Sequence, residues 1–298
     1  MNDIAVHTQD VGDAVRNAGL LASVQISVWE GMKLDKKSLE ELKKLHGASG
    51  DIGRVNINLL TGHDGLLRDT HSAFFSVRTR HYELTLPWVS DPHAPRQRGP
   101  RLLSHLLFEQ YVKELSVLKK SAIDLLEGSF LPAYPGLVQG AQGNLGTIAQ
   151  GFHYPTVDEI RKAFRVHFDF EPIPEGAGFR GLDGHTLDQL GKLLAKKQER
   201  QVAEATRAMW IETRARIEAL IAATKKPNAA TVGNVRELLT LLPGWNITGN
   251  PVVSEVAQDI DELLMGIEAE DLRKDEKLRS DTAASAQKIV DKMARWGL

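Results

Sequence analysis

A chain of 298 residues with 42% hydrophobic content is long enough to bury a large core, as one domain or as two modest ones. Its 37 Lys+Arg stand against 39 Asp+Glu for a formal charge of -2, so the molecule as a whole exerts no pull on a polyanion and any nucleic-acid site has to be a local patch. The absence of cysteine excludes a disulfide framework, thiolate zinc sites and a cysteine nucleophile, and fits a reducing cytoplasm.

The first residues, with Asp3, Asp10 and Asp13, lack the basic start and apolar run of a signal peptide. Residues 20–34 then place Val24, Ile26 and Val28 at the alternating period of a half-buried strand. Ser38 opens a short helix that Gly47 closes, and 54–60 reads as a second extended piece. After Gly62 and Gly65 a helix gives way to an extended exit through Tyr82, Leu84 and Leu86 towards Pro87. Residues 87–100, with four prolines and Arg96 and Arg98, read as a surface loop. From Arg101 to about Glu127 the series Leu103, Leu107, Tyr111, Leu115, Leu118, Ala122 and Leu125 predicts a long amphipathic helix. The Pro- and Gly-containing run at 131–146 breaks it. Thr156 with Glu159 is a capping-box signature for a helix to about Phe164, and Val166, Phe168 and Phe170 alternate as a strand.

Thr186 with Gln189 makes a second capping box. The helix it starts runs to about Thr224, roughly 58 Å at 1.5 Å per residue, with Leu187, Leu190, Leu194, Val202, Ala205, Met209, Ile217 and Leu220 as its seam. Two helices joined across Pro243 to Pro251 follow, and a last one spans 281–296. No stretch approaches about 18 consecutive apolar residues, and there is no internal repeat. The fold expected is α+β, predominantly helical, with a small antiparallel sheet from the strands near 24, 57 and 168. Residues 1–185 would form a mixed core carrying the Arg-rich loop, and 186–298 a helical part.

Charge is segregated along the chain. Residues 54–120 and 186–253 each hold ten Lys+Arg against six Asp+Glu, whereas 254–276 carries nine acids against Arg273 and Lys274. Such blocks permit a basic groove on a neutral molecule, and the acidic stretch suits contact with another protein. Single-stranded nucleic acid is held by cations along the phosphates and by aromatic faces under the bases. Arg78, Arg80, Arg96, Arg98 and Arg101 supply the first ingredient, Tyr82 and Trp88 the second. Against this stands a bland alternative in which the aromatics anchor the core and the arginines pair with Glu83 and Asp91. A second stripe, Lys192, Lys196, Arg200, Arg207 and Arg214, lies on one helical face, with Arg200–Glu204 and Arg214–Glu218 spaced for pairing.

Catalytic signatures fail. Gly176, Gly178 and Gly181 follow Pro172 and Pro174 and do not leave a strand to open a helix, so they read as a turn-rich linker. The ten histidines include no H-E-x-x-H pair, and neither G-x-x-x-x-G-K-[ST] nor G-x-S-x-G occurs. His105 and Glu109 share a face at i,i+4, two ligands at most. The expectation is no enzyme, no metal and no cofactor.

The segments VWEGMKLD (28–35), TRHYELTLPWVSD (79–91), LGTIAQGFHYPTVDEIRKAF (145–164) and LLPGWNITGNP (241–251) resemble the Drc family, the early single-stranded-DNA-binding RNA polymerase cofactors of lytic podoviruses, along nearly the whole chain. The resemblance implies cooperative, sequence-independent binding of single-stranded DNA, recruitment of the phage RNA polymerase in the early-to-middle switch, self-association, residence in the cytoplasm of the infected host, no membrane, and an unusual fold that is not an oligonucleotide-binding barrel. It carries over no DNA-contacting residue. The rivals are a helical scaffold partnering a phage ATPase, a strand-annealing recombination protein, and an enzyme with an unfamiliar site.

Overall fold

The computed structural model describes residues 15–91, 93, 99–174, 183–223 and 229–295. The chain is predominantly helical with two small sheets, and neither closes into a barrel. A four-stranded sheet runs in the order β4 (Leu86–Pro87), β5 (Arg101–Ser104), β1 (Gly19–Ser27), β6 (Arg165–Glu171). β5 pairs antiparallel with both neighbours, Leu21 opposite Leu102 and Leu86 opposite Leu102. The strand near 57 does not join it. β3 (Asn56–Asn58) pairs instead with β2 (Met32–Leu34) in a separate two-stranded sheet.

Two compact units are present: Met1–Ser23 with Tyr82–Val112 and Asp169–Leu298, and Val24–His81 with Lys113–Phe168. In the first, α6 (Gly184–Ala223) packs on α7 (Ala229–Trp245) and α10 (Glu276–Arg295), and α8 (Pro251–Leu264) packs on both of those. Met209, Trp210, Ile217, Val235, Leu238, Leu241, Val256, Ile260, Ile289 and Met293 are buried there. α9 (Ala269–Lys274) buries Leu272. The 40-residue α6 is about 60 Å long at 1.5 Å per residue. Its cap is Asp183 rather than Thr186, whose N–H and hydroxyl both donate to the Asp183 carboxylate. Every buried residue of α6 lies at or after Gln201.

In the second unit, α1 (Lys36–His46) is capped by Asp35 at one end and by Gly47 at φ 61° at the other. Ser38 lies inside it, donating its N–H to Asp35. An aromatic cluster forms the core: Trp29 meets Tyr134 edge-on at 5.6 Å, and Phe164 lies 5.1 Å from Phe74. Burial pushes the Tyr134 phenol up to about 12, and its hydroxyl donates to the Pro155 carbonyl at 2.9 Å.

Three expected boundaries move. α2 (Gly65–Leu84) runs through Tyr82 and Leu84, because no breaker stands before Pro87 and helical spacing buries Phe74, Val77, His81 and Leu84. Residues Arg101–Ser104 form β5, buried throughout, and α3 (His105–Leu125) begins only after them, where the Ser104 hydroxyl accepts the Leu106 N–H. A short apolar run buried on both faces reads alike as strand or helix. The chain then stays helical where a break was expected: a π turn at Leu126–Phe130, in which the Leu131 N–H reaches the Leu126 carbonyl, leads into α4 (Leu131–Leu145). Pro132 falls in the first turn of α4, where no N–H is needed, and the π turn absorbs the extra residue. The Thr156/Glu159 capping box forms as expected at the head of α5 (Val157–Ala163).

Candidate nucleic-acid interface

The structure separates the residues expected to bind DNA. Arg101 and Trp88 are buried, 6% and 7% exposed, which corrects both assignments. The Arg101 guanidinium donates through Nε to Thr85 Oγ1 at 2.7 Å and through Nη2 to the Thr85 and Tyr82 carbonyls at 2.6 and 3.3 Å. It also stacks 5.0 Å from the Tyr82 ring centroid. Burial draws Arg101 down to about 10 and pushes the Tyr111 phenol up, so the cation persists at neutral pH as an internal brace. Tyr82 is half-buried and engaged with that brace. The Trp88 carbonyl accepts from Gln201 at 3.4 Å. Arg80 is ion-paired to Glu114, and Arg78 lies 5.1 Å over Phe75. Arg96 and Arg98 lie outside the described residues, as do Gly176, Gly178 and Gly181.

Of the second stripe, Lys192 pairs with Asp188 at 2.8 Å, Arg214 with Glu218 at 2.8 Å and Arg207 with Glu204 at 3.8 Å. The expected Arg200–Glu204 pair is replaced by that last contact. Lys196 and Arg200 are exposed on one face of α6, with no acidic partner among the described residues.

A cation site that the residue pattern did not single out lies in the second unit. Its construction begins at Phe164, whose extended backbone (φ -90°, ψ 113°) ends α5 and enters β6 at once. The alternation that follows turns Val166 inward and leaves Arg165 and His167 exposed. β1 contributes Gln25 and Ser27, α2 Phe74, and α3 Lys119 and Ile123; together with Phe164–His167 they line a cleft of about 590 Å³. That volume lies within the usual range for ligand sites. The Lys119 ammonium sits 5.4 Å from the Phe168 ring centroid, a cation held against an aromatic face. Neither Lys119 nor Arg165 has a carboxylate partner among the described residues, and no acidic side chain lines the cleft.

This arrangement can attract phosphate through Lys119 and Arg165, offer donors and acceptors to base edges from Gln25 and Ser27, and seat a flat ring beside Phe164 and Phe168. The usable signal was the capping box, which fixes where β6 begins and therefore which side chains alternate outward. Lys119 comes from α3 and meets β6 only through tertiary packing. Among the described residues no group of three His, Asp or Glu is placed to hold a metal, and no helix is long and apolar enough to cross a membrane. Compared with protein-family models, curated proteins and solved structures, the chain matches none of them.

Proposed function

We infer that the chain is a non-catalytic, sequence-independent single-stranded-DNA-binding protein, with the cleft between α3 and β6 as its principal contact and Lys196 and Arg200 of α6 as a further basic face. The observation that carries this reading is a cation-bearing cleft without a single carboxylate, in a chain whose formal charge is -2. Acids outnumber bases overall, so a cleft free of them is a concentrated positive feature, and field lines focus in such a recess. Aromatic floor residues and amide and hydroxyl groups suit unstacked bases, which a duplex does not present. The resemblance to the podoviral cofactors adds the phage RNA polymerase as protein partner and the infected host's cytoplasm as the setting.

The test is a gel-shift comparison of single- and double-stranded DNA of equal length at about 0.05 and about 0.2 M salt. Single strands should bind more tightly at both concentrations, irrespective of sequence, and lose affinity as salt rises. Equal affinity for the duplex, or no binding to either, would refute the reading.

A further inference from the structure

In the second unit, α1 is formed but buries no residue. Leu39, Leu42 and Leu45 recur every third residue along it, and Leu45 is 76% exposed. The adjoining chain leaves Met32, Leu34 and Ile52 exposed as well. A short amphipathic helix normally draws its stability from burying such a stripe. Here the Asp35 and Gly47 caps hold it instead, leaving its apolar side available. The surroundings are basic: Lys33, Lys36, Lys44 and Arg54 make no ion pair among the described residues, and Lys43 pairs only with Glu40 at 3.5 Å.

The first unit carries the complement. Met265, at the end of α8, is 72% exposed and is flanked by exposed Asp261, Glu262 and Glu268. Asp261 has no basic partner among the described residues, Glu262 accepts only from Gln258, and Glu268 is held by Arg236 at 3.2 Å. Lys292 neutralises Glu255 and Asp259 on the far side of α8, so the uncompensated charge lies beside Met265. An exposed methionine adapts readily to an irregular apolar partner.

We propose that these surfaces bind one another between copies of the chain, the aliphatic stripe and lysines of α1 seating on Met265 and its acidic rim in the next copy. The residues exposed on α1 are aliphatic and offer no face for base stacking, which favours a protein partner over nucleic acid, and the opposite charges select this one. A contact between two different patches is heterologous, so it propagates as an open row instead of closing a dimer. The inference does not depend on the DNA reading, because the association requires no DNA.

Sedimentation velocity of the full chain without nucleic acid, over a range of protein concentrations, tests it. The chain should self-associate, and less so as salt rises from about 0.05 to about 0.5 M. Leu45→Lys, at an exposed position, should weaken association about tenfold or more. Lys43→Glu with Lys44→Glu should do the same, as should Asp261→Lys with Glu262→Lys, while mixing the two charge-reversed chains should restore association between them. A chain that stays monomeric at every concentration, or one that associates with no response to these substitutions, overturns the proposal. So does an α1 variant that loses affinity for single-stranded DNA while its self-association is unchanged.

Discussion

Replacing Arg101 by Ala should lower the stability of the protein by about 3 to 5 kcal/mol, because three buried acceptors lose their donor at once. Those acceptors are Thr85 Oγ1 and the Thr85 and Tyr82 carbonyls, and none has water to turn to at a side chain only 6% exposed. Arg101→Lys should recover less than half of the loss, since an ammonium is a point donor and cannot reproduce the planar fork that spans Thr85 and Tyr82. Thermal unfolding of both variants measures the effect, and DNA affinity of the folded Arg101→Lys chain should equal that of the wild type. An Arg101→Ala chain that melts normally but binds DNA poorly would return this residue to the surface site.

Neutralising the cleft should have the largest effect on binding. Each cation that contacts a single strand contributes about 0.7 to the slope of log affinity against log salt, so Lys119→Gln with Arg165→Gln should flatten that slope by about 1.4. Affinity at about 0.1 M salt should fall roughly ten- to a hundredfold, by the same amount for every sequence tested. Both side chains are accessible and lack carboxylate partners, so their loss strands no buried charge and the melting temperature should be almost unchanged. Fluorescence anisotropy of a labelled oligonucleotide reads affinity and slope together. An unchanged slope would take the cleft out of the interface.

The division between what was legible in the sequence and what was not follows the range of the forces involved. Local signals were readable: the Thr156/Glu159 box starts α5 as expected, Gly47 ends α1, and the periodicity of β1 and of the long α6 is that of the folded elements. Where two polar residues competed for a cap, the nearer helix start was mistaken, and Asp35 and Asp183 serve where Ser38 and Thr186 were expected. Arg101 was misassigned for a deeper reason. A basic residue beside an Arg-rich loop looks solvated until β5 is seen to lie between β1 and β4, and only that placement buries it. The cleft shows the same limit in reverse, since Gln25, Lys119 and Arg165 are far apart in the chain and converge only when β1, α3 and β6 are packed in one unit. The fold class was therefore within reach of pattern and composition, whereas the candidate site was not.

The distribution of charge bears on function through geometry, not through its sum. Most of the stripe on α6 is paired along the helix, and exposed pairs of this kind contribute little to stability and retain little attraction for a distant polyanion. Lys119, Arg165, Lys196 and Arg200 have no such internal partner among the described residues, which makes them the cations from which phosphate can displace counterions.

Photo-crosslinking tests the central claim most directly. A single strand carrying bromouracil, bound to the full chain, irradiated and mapped by peptide mass spectrometry, should attach to the peptides that contain Lys119 and Arg165–Phe168, with weaker attachment on α6 near Arg200. Attachment confined to other peptides, or none under conditions where the complex forms, would contradict the account.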